Sequence, residues 1–127
     1  MCNIIIAGSR EFNDYELLKS KCDEIIASLP IPEIKCLPHM PSIRIISGTA
    51  RGADKLGERY ALENGFILNK FPADWDRYGK SAGYKRNVLM AEHADVLIAF
   101  WDGISRGTRH MIEIARSKGL QVHIVQF

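Results

Sequence analysis

The chain has 127 residues, 46% of them hydrophobic and 25% charged, and its 17 Lys and Arg residues against 15 Asp and Glu residues leave a formal charge of +2. This length suits one domain, residues 1–127, which can bury enough surface to fold without a metal or a disulfide. The composition excludes the disordered and fibrous classes, and the small charge argues against a broad basic face for duplex DNA.

The three cysteines, Cys2, Cys22 and Cys36, are odd in number and lack the spacing of a disulfide framework or a zinc site. No apolar run approaches the ~20 residues that cross a bilayer, and the N-terminus lacks the basic lead and cleavage site of a signal peptide. We therefore expect a cytoplasmic protein that binds no metal through cysteines and has no membrane partner.

Short apolar runs alternate with segments of helical period along the chain. The predicted strands are Asn3–Ala7, Ile43–Ser47, Phe66–Phe71, Val96–Phe100 and Gln121–Gln126. Most of these runs are continuously apolar, as strands covered on both faces are. The pattern predicts a three-layer α/β/α fold around a parallel five-stranded sheet.

Four helices are predicted between these strands. The first begins near Asn13, whose side chain caps it while Glu16 completes a variant of the capping box. The other three are predicted near Ala53–Asn64, Ala82–Glu92 and Thr108–Lys118.

In the second of these helices, the apolar period directs one set of residues inward, namely Ala53, Leu56, Tyr60 and Ala61. The charged set is expected to point outward, namely Asp54, Lys55, Glu58, Arg59 and Glu63. The proline-rich connection 30–41 before the second strand is expected to lie on the surface, with room for a short edge strand at Ile34–Leu37, and we assign it no chemistry.

The loops that follow the strands contain most of the glycine, serine, threonine and arginine residues that have no packing role. In open parallel sheets, ligands bind outside the carboxyl ends of the strands. Two of these loops, Gly48–Gly52 and Ser105–Thr108, precede helices, where backbone N–H groups can bind a phosphate. Each loop alone is more typical of a tight turn and a helix cap than of a phosphate site, but their common position at one edge of the sheet favours phosphate binding.

Six of the nine arginines fall in these loops or just after them, namely Arg10, Arg51, Arg77, Arg86, Arg106 and Arg109. The guanidinium group matches phosphate oxygens well, so this clustering predicts a positive field in one crevice. Aspartates in the same loops offer the alternative that some of these arginines form ion pairs within the protein.

The aromatic residues Trp75 and Tyr78 lie in the charged loop Pro72–Lys80. Either they form a stacking wall or a mobile cover over the ligand, or they form a small core over the third helix. Trp101 directly follows an apolar strand and is expected in the core. No nucleophile elbow and no strict dinucleotide motif is present, which argues against hydride chemistry.

Five segments, taken in order, resemble the YspA-type branch of the SLOG superfamily of Rossmann-like proteins, which is related to the LOG phosphoribohydrolases and to the Rossmann domain of DNA-processing protein A. The segments are 7–12, 46–54, 71–75, 79–87 and 99–108. The resemblance implies a strand order of 3-2-1-4-5 and a nucleotide or nucleotide-derived ligand. The residues implied in binding are Gly8, Ser9, Arg10, Gly48, Thr49, Ala50, Arg51, Gly52, Asp54, Asp74, Trp75, Arg86, Asn87, Asp102, Ser105, Arg106, Gly107 and Thr108.

One departure from the LOG pattern bears on catalysis. LOG-type enzymes have a catalytic Glu where this chain has Met111, and Glu113 lies roughly 200° further around the helix. Arg86 matches the arginine of the LOG Arg-Lys motif, but Asn87 follows it instead of Lys.

These residues favour a nucleotide-binding or sensing protein of bacterial or phage origin with no obligatory cofactor. One alternative is a LOG-like N-glycosidic hydrolase, with Arg86, Asp74 and Asp102 as candidate catalytic residues. The other is a single-stranded nucleic-acid binder, which the charge of +2 disfavours. The residues leave open whether Mg²⁺ takes part and whether the chain forms a homo-oligomer.

Overall fold

The computed structural model describes residues 2–29 and 43–127. Its sheet has five parallel strands in the order β3-β2-β1-β4-β5. The strands are β1 (Cys2–Gly8), β2 (Ile43–Ser47), β3 (Ile67–Lys70), β4 (Val96–Trp101) and β5 (Gln121–Gln126). The predicted α/β class and the strand order 3-2-1-4-5 are confirmed.

The helices lie between the strands, as crossover connections of a parallel sheet require. They are α1 (Tyr15–Ser28), α2 (Ala53–Glu63), α3 (Trp75–Tyr78), α4 (Ala82–Glu92) and α5 (Arg106–Ser117). A 3₁₀ turn at Gly79–Ser81 joins α3 to α4. None of the helices in the described ranges has the length and hydrophobicity needed to span a bilayer.

Two apolar clusters cover the two faces of the sheet. One contains Ile4, Ile6, Leu18 and Tyr60 and includes side chains of α1 and α2. The other contains Ile5, Ile46, Leu97, Met90 and Met111, which include side chains of α4 and α5. The central strands β1 and β4 are buried because they are covered on both faces, whereas the edge strands β3 and β5 are partly exposed.

The starts of two helices differ from the predictions. Helix α1 begins after Asp14, not Asn13, because the Asp14 carboxylate accepts the Leu17 N–H at 3.1 Å. Helix α5 begins at Arg106, two residues before the predicted Thr108, with Ser105 at the N-cap. The predicted loop Pro72–Lys80 also contains the short helix α3.

The outward orientation predicted for Asp54 and Glu58 is wrong. Both side chains are buried, with Asp54 5% and Glu58 7% exposed. This face of α2 packs over the polar carboxyl end of β2, where the Ser47 hydroxyl donates to Glu58 Oε2 at 2.7 Å. For Glu58 the outward prediction failed because its hydroxyl partner lies on another element, β2, eleven residues away in the sequence.

Trp101 is only partly buried, against the cluster beneath α4 and α5, and its indole N–H donates to the Ser105 carbonyl at 3.1 Å. The surface connection 30–41, with its edge strand Ile34–Leu37, lies outside the described residues.

Candidate functional site

A cavity of about 410 Å³ opens at the carboxyl end of the sheet. Strand β1 lies between β2 and β4 in the sheet. The chain passes from β1 to β2 on one side and from β4 to β5 on the other, so the loops after β1 and β4 diverge, and the cavity forms where they do so. The first turn of α5 and one face of α4 complete its walls. The cavity volume falls in the range of small-molecule sites.

The loop after β2 is tied to the loop after β1 at the start of α2. Gly52 has a φ of +79°, and a Cβ there would lie 2.5 Å from the carbonyl oxygens of both Ser9 and Arg10. The Ala53 N–H donates to the Ser9 carbonyl at 3.3 Å. Only glycine fits this junction, and one backbone donor of the first turn of α2 is already used by the protein.

The start of α5 is arranged differently. Within the described residues, no side chain caps the backbone N–H groups of its first turn, because the Ser105 hydroxyl lies 3.2 Å from the Thr108 hydroxyl instead. A Cβ on Gly107 would meet nothing within 4 Å. Ser105, Gly107 and Thr108 line the cavity, so an uncapped helix N-terminus lies at its wall.

Arg86 extends from α4 toward the loop after β2. Its Nη1 donates to the Gly48 carbonyl, and its Nε donates to Asn87 Oδ1 at 3.0 Å. Burial lowers the pKa of Arg86, and the charge of Asp54 partly offsets this effect. The guanidinium is thus oriented at the cavity wall, with hydrogen-bonding capacity left for a ligand.

Asn87 links α4 to α5. Its Nδ2 lies 3.4 Å from the Gly107 carbonyl and 3.2 Å from His110 Nδ1, and its side chain is buried. Burial lowers the pKa of His110, whose ring contacts Tyr84 with a centroid separation of 4.5 Å. The Asn87 amide therefore fixes both the Arg86 side chain and the first turn of α5.

Asp54 is the carboxylate of the cavity wall. Its Oδ2 accepts the Ala50 N–H at 3.1 Å. Burial raises the pKa of Asp54 to about 6, although the Ala50 hydrogen bond and the charge of Arg86 both lower it. A buried carboxyl group with such a pKa changes its charge near neutral pH.

Two aromatic rings also line the cavity. Trp75 is 52% and Tyr84 is 45% exposed, and both line the cavity with Lys80. The Trp75 ring lies over α4 at Gly83, where Cη2 is 3.5 Å from the position of a Cβ. A half-exposed indole beside a cavity presents a flat apolar face to a ligand.

Comparison with known proteins assigns the chain to one family. The YspA, cpYpsA-related SLOG family matches residues 2–78. The Gene 61 protein of Mycobacterium phage D29 is 35% identical over 129 residues, covering 96% of this chain and 94% of that protein. The chain belongs to the YspA, cpYpsA-related SLOG family.

A solved structure shows the same fold as this SLOG-family chain. It is the X-ray structure of DNA processing protein A (DprA) from Streptococcus pneumoniae, with 18% sequence identity and a TM-score of 0.68. The match covers 99% of this chain and 50% of the DprA chain, so the chain spans about half the length of DprA. At this identity the similarity concerns the fold.

The structure brings eleven of the eighteen predicted residues of this SLOG-family chain to the cavity wall. They are Gly8, Arg10, Gly48, Ala50, Asp54, Trp75, Arg86, Asn87, Ser105, Gly107 and Thr108. They come from five separate segments of sequence, which the parallel sheet and α4 place together.

The other seven predicted residues lie off the cavity wall. Four of them have contacts within the protein: the Ser9 hydroxyl accepts the Asp102 N–H, Arg51 pairs with Glu11 at 2.9 Å, Thr49 N–H donates to the Ser47 hydroxyl, and Gly52 forms the junction described above. Arg106 is exposed.

The two candidate catalytic aspartates are among these seven. Asp74 caps α3 by accepting the Arg77 N–H at 3.1 Å. Asp102 accepts the N–H groups of Ile104 and Ser105 at 2.9 and 2.8 Å, and these hydrogen bonds lower its pKa. Both carboxylates thus accept hydrogen bonds from nearby backbone N–H groups.

Sequence reasoning missed six residues at the cavity wall: Ala7, Lys80, Gly83, Tyr84, Met90 and Met111. Gly83, Asn87 and Met90 follow helical spacing, so the position of Asn87 could have identified this face of α4. Met111 follows Thr108 by three residues and is buried. Met111 therefore places a thioether at this wall. Glu113 does not supply a carboxylate there, because it is exposed, pairs with Arg109 at 3.2 Å and does not line the cavity.

Proposed function

We propose that this SLOG-family chain binds a nucleotide or nucleotide-derived ligand in the cavity at the carboxyl ends of its strands. The observation that supports the proposal is the convergence of unlike groups there. The cations Arg10, Lys80 and Arg86 line the same space as the uncapped start of α5 and the Trp75 ring. A ligand that combines an anionic group with a flat ring would contact both.

The test is a thermal-shift screen over nucleotides, including NAD, ADP-ribose and cyclic species. A ligand that binds only the folded protein stabilises it by about 2.7 kcal/mol at 100 times its dissociation constant. Arg10 and Arg51 offer a matched pair, because both are exposed arginines on neighbouring loops but only Arg10 lines the cavity. We expect Arg10→Gln to reduce the shift and Arg51→Gln to preserve it.

Two outcomes would contradict this function. One is a screen in which no nucleotide stabilises the protein. The other is steep salt dependence of oligonucleotide binding with no effect of mononucleotides, which would identify a single-stranded nucleic-acid binder.

A second candidate function is N-glycosidic hydrolysis of nucleotides. The position of Arg86 and the buried carboxyl of Asp54 at one cavity wall favours it, while Met111 removes the glutamate of the related hydrolases. Release of free base from nucleoside monophosphates by the purified chain, abolished in Arg86→Ala, would support this activity. A lack of turnover that Met111→Glu converts into measurable turnover would support the binding function.

A further inference from the structure

Two buried carboxylates lie one turn apart on α2, and their surroundings differ. Glu58 accepts the Ser47 hydroxyl at 2.7 Å, and the ammonium groups of Lys55 and Lys70 lie 3.6 and 3.7 Å from its Oε1. Its charge is therefore compensated from both oxygens. Glu58 does not line the cavity.

Asp54 has less support for its charge. Its Oδ2 accepts the Ala50 N–H, and no donor of the described residues reaches its Oδ1. The charge of Arg86 lowers the pKa of Asp54, but the two side chains form no direct ion pair within the described part of the chain. Since a buried charge with one neutral donor is costly, the free protein gains little stability from a carboxylate here.

The space in front of Asp54 belongs to the cavity. A Cβ on Gly48 would lie 2.8 Å from Asp54 Oδ2 and 2.8 Å from Arg86 Nη1. A side chain at position 48 would therefore collide with both charged groups, which explains why glycine stands there. Asp54 is largely buried, with 5% of its surface exposed, and it lines the cavity, so a ligand that reaches it comes from the cavity side.

We propose that Asp54 recognises a sugar hydroxyl of the ligand, so that the cavity selects a ribosyl phosphate over an anion without hydroxyl groups. This inference rests on the proposed function and specifies its ligand class. An ionised carboxylate accepts hydrogen bonds and offers none, so its ligand partner is a donor. Burial raises the pKa of Asp54 to about 6, and in the same buried environment a hydrogen bond from the ligand to the carboxylate is stronger than it would be in water.

The positions of the other groups favour a hydroxyl over a base amino group. Trp75 and Tyr84, the rings suited to a base, belong to α3 and α4, whereas Asp54 belongs to α2 beside Gly48. The cations of the cavity suit the phosphate. A sugar hydroxyl and a base amino group are both neutral donors, so Arg86 repels neither of them, and the preference for a hydroxyl rests on the place of the base at the two rings.

The experiment compares ligands that differ only in sugar hydroxyls. Dissociation constants of the four common ribonucleoside 5′-monophosphates and their 2′,3′-dideoxy counterparts are measured by calorimetry for the wild-type chain. We expect the best ribonucleotide to bind about tenfold to a hundredfold more tightly than its dideoxy counterpart, as loss of a hydrogen bond to a charged group predicts.

Matched variants assign the selectivity to one carboxylate. Asp54→Ala should reduce the ribose preference to about one, and Asp54→Asn should reduce it to about threefold or less, because an amide replaces the carboxylate. Glu58→Gln removes the neighbouring buried charge and should retain the wild-type preference. A preference that survives in Asp54→Ala would overturn the assignment.

The wild-type measurement needs no variant to fold. Equal binding of ribonucleotides and dideoxynucleotides would overturn the inference and leave the proposed function intact. No binding of any nucleotide would overturn both.

Discussion

The starts of α2 and α5 share a sequence pattern but differ in structure. Each follows a glycine-containing loop at the carboxyl end of a central strand, and neither has a side-chain cap among the described residues. Gly52 is enclosed by backbone and the Ala53 N–H donates to the Ser9 carbonyl, whereas Gly107 lines the cavity and a Cβ there would meet nothing within 4 Å. Glycine is thus needed at position 52 because two loops pack closely there, whereas at position 107 it leaves the start of α5 open to a ligand.

The sharpest test of this contrast is Gly52→Ala. The new Cβ would meet two backbone oxygens at 2.5 Å, and a φ of +79° is unfavourable for alanine. We expect a loss of about 3 kcal/mol or more in the free energy of unfolding, measured in urea. Gly65→Ala is the control, because Gly65 has a φ of +68° with nothing within 4 Å and should lose only about 1 kcal/mol. Equal losses in the two variants would mean that the Gly52 junction is not tightly packed.

The second test concerns the charge in the first turn of α2. The folded-state pKa of Asp54 is about 6 and its ordinary value is 3.8, so the folded protein binds this proton more tightly than the unfolded chain does. Ionised Asp54 therefore destabilises the fold above pH 6, by up to roughly 3 kcal/mol, and the penalty disappears as the pH falls from about 6 toward 4.

We accordingly expect Asp54→Asn to be more stable than the wild-type chain at pH 7.5 and equally stable near pH 4, in urea unfolding at both pH values. Glu58→Gln should have the opposite sign at pH 7.5, with a loss of about 1 kcal/mol, because Ser47 then donates to a neutral amide. A destabilised Asp54→Asn at pH 7.5 would show that Arg86 compensates the Asp54 charge fully.

Gly107 supplies the corresponding test at α5. Gly107→Val should change the free energy of unfolding by under about 1 kcal/mol, since its Cβ meets nothing, yet its branched side chain should weaken nucleotide binding about tenfold. Gly107→Ala, with a smaller side chain, should be as stable as wild type or more so and retain most of the affinity. Parallel losses of affinity and melting temperature in Gly107→Val would identify Gly107 as a turn residue only.

These differences mark the limit of what the sequence could predict. Continuous apolar runs identified the strands of the sheet, because both faces of a central strand are covered whatever the details of packing. The helical period wrongly predicted that Asp54 and Glu58 point to solvent, because this pattern assigns every charged residue to the exposed face. The hydroxyl that bonds the buried Glu58 belongs to Ser47 on β2, eleven residues away.

The candidate site followed from topology, which places the loops after parallel strands at one edge of the sheet. Contacts between residues that are distant in the sequence decide which side chains of these loops line the cavity, and a local sequence pattern does not show such contacts. Arg10 and Arg51 both lie in loops at the carboxyl edge of the sheet, but Arg51 pairs with Glu11 at 2.9 Å and does not line the cavity. Helix α3 was missed because four residues are too few for a helical period to show.

The last prediction concerns Trp75, which lines the same cavity and is expected to cover a bound base. The ring is 52% exposed, so Trp75→Ala should cost under about 2 kcal/mol of stability, less than truncation of a buried tryptophan. Stacking on a base is worth about 1–3 kcal/mol, so the same variant should weaken nucleotide binding about fivefold to a hundredfold. Tyr78→Ala is the control, because Tyr78 lies on the same helix, is also exposed and does not line the cavity.

Fluorescence separates a ligand-facing ring from a structural one. The chain has two tryptophans, and Trp101→Phe leaves Trp75 as the sole indole emitter while it keeps an aromatic ring against the core. Nucleotide should then change the Trp75 emission, and the reciprocal Trp75→Phe chain should respond less, because Trp101 donates its N–H to Ser105 and does not line the cavity. A base stacked on the indole displaces water from its exposed face, which is the physical cause of the expected change. Unchanged Trp75 emission together with a large stability loss in Trp75→Ala would assign the ring to packing on α4 at Gly83 and leave binding to the cationic groups and the start of α5.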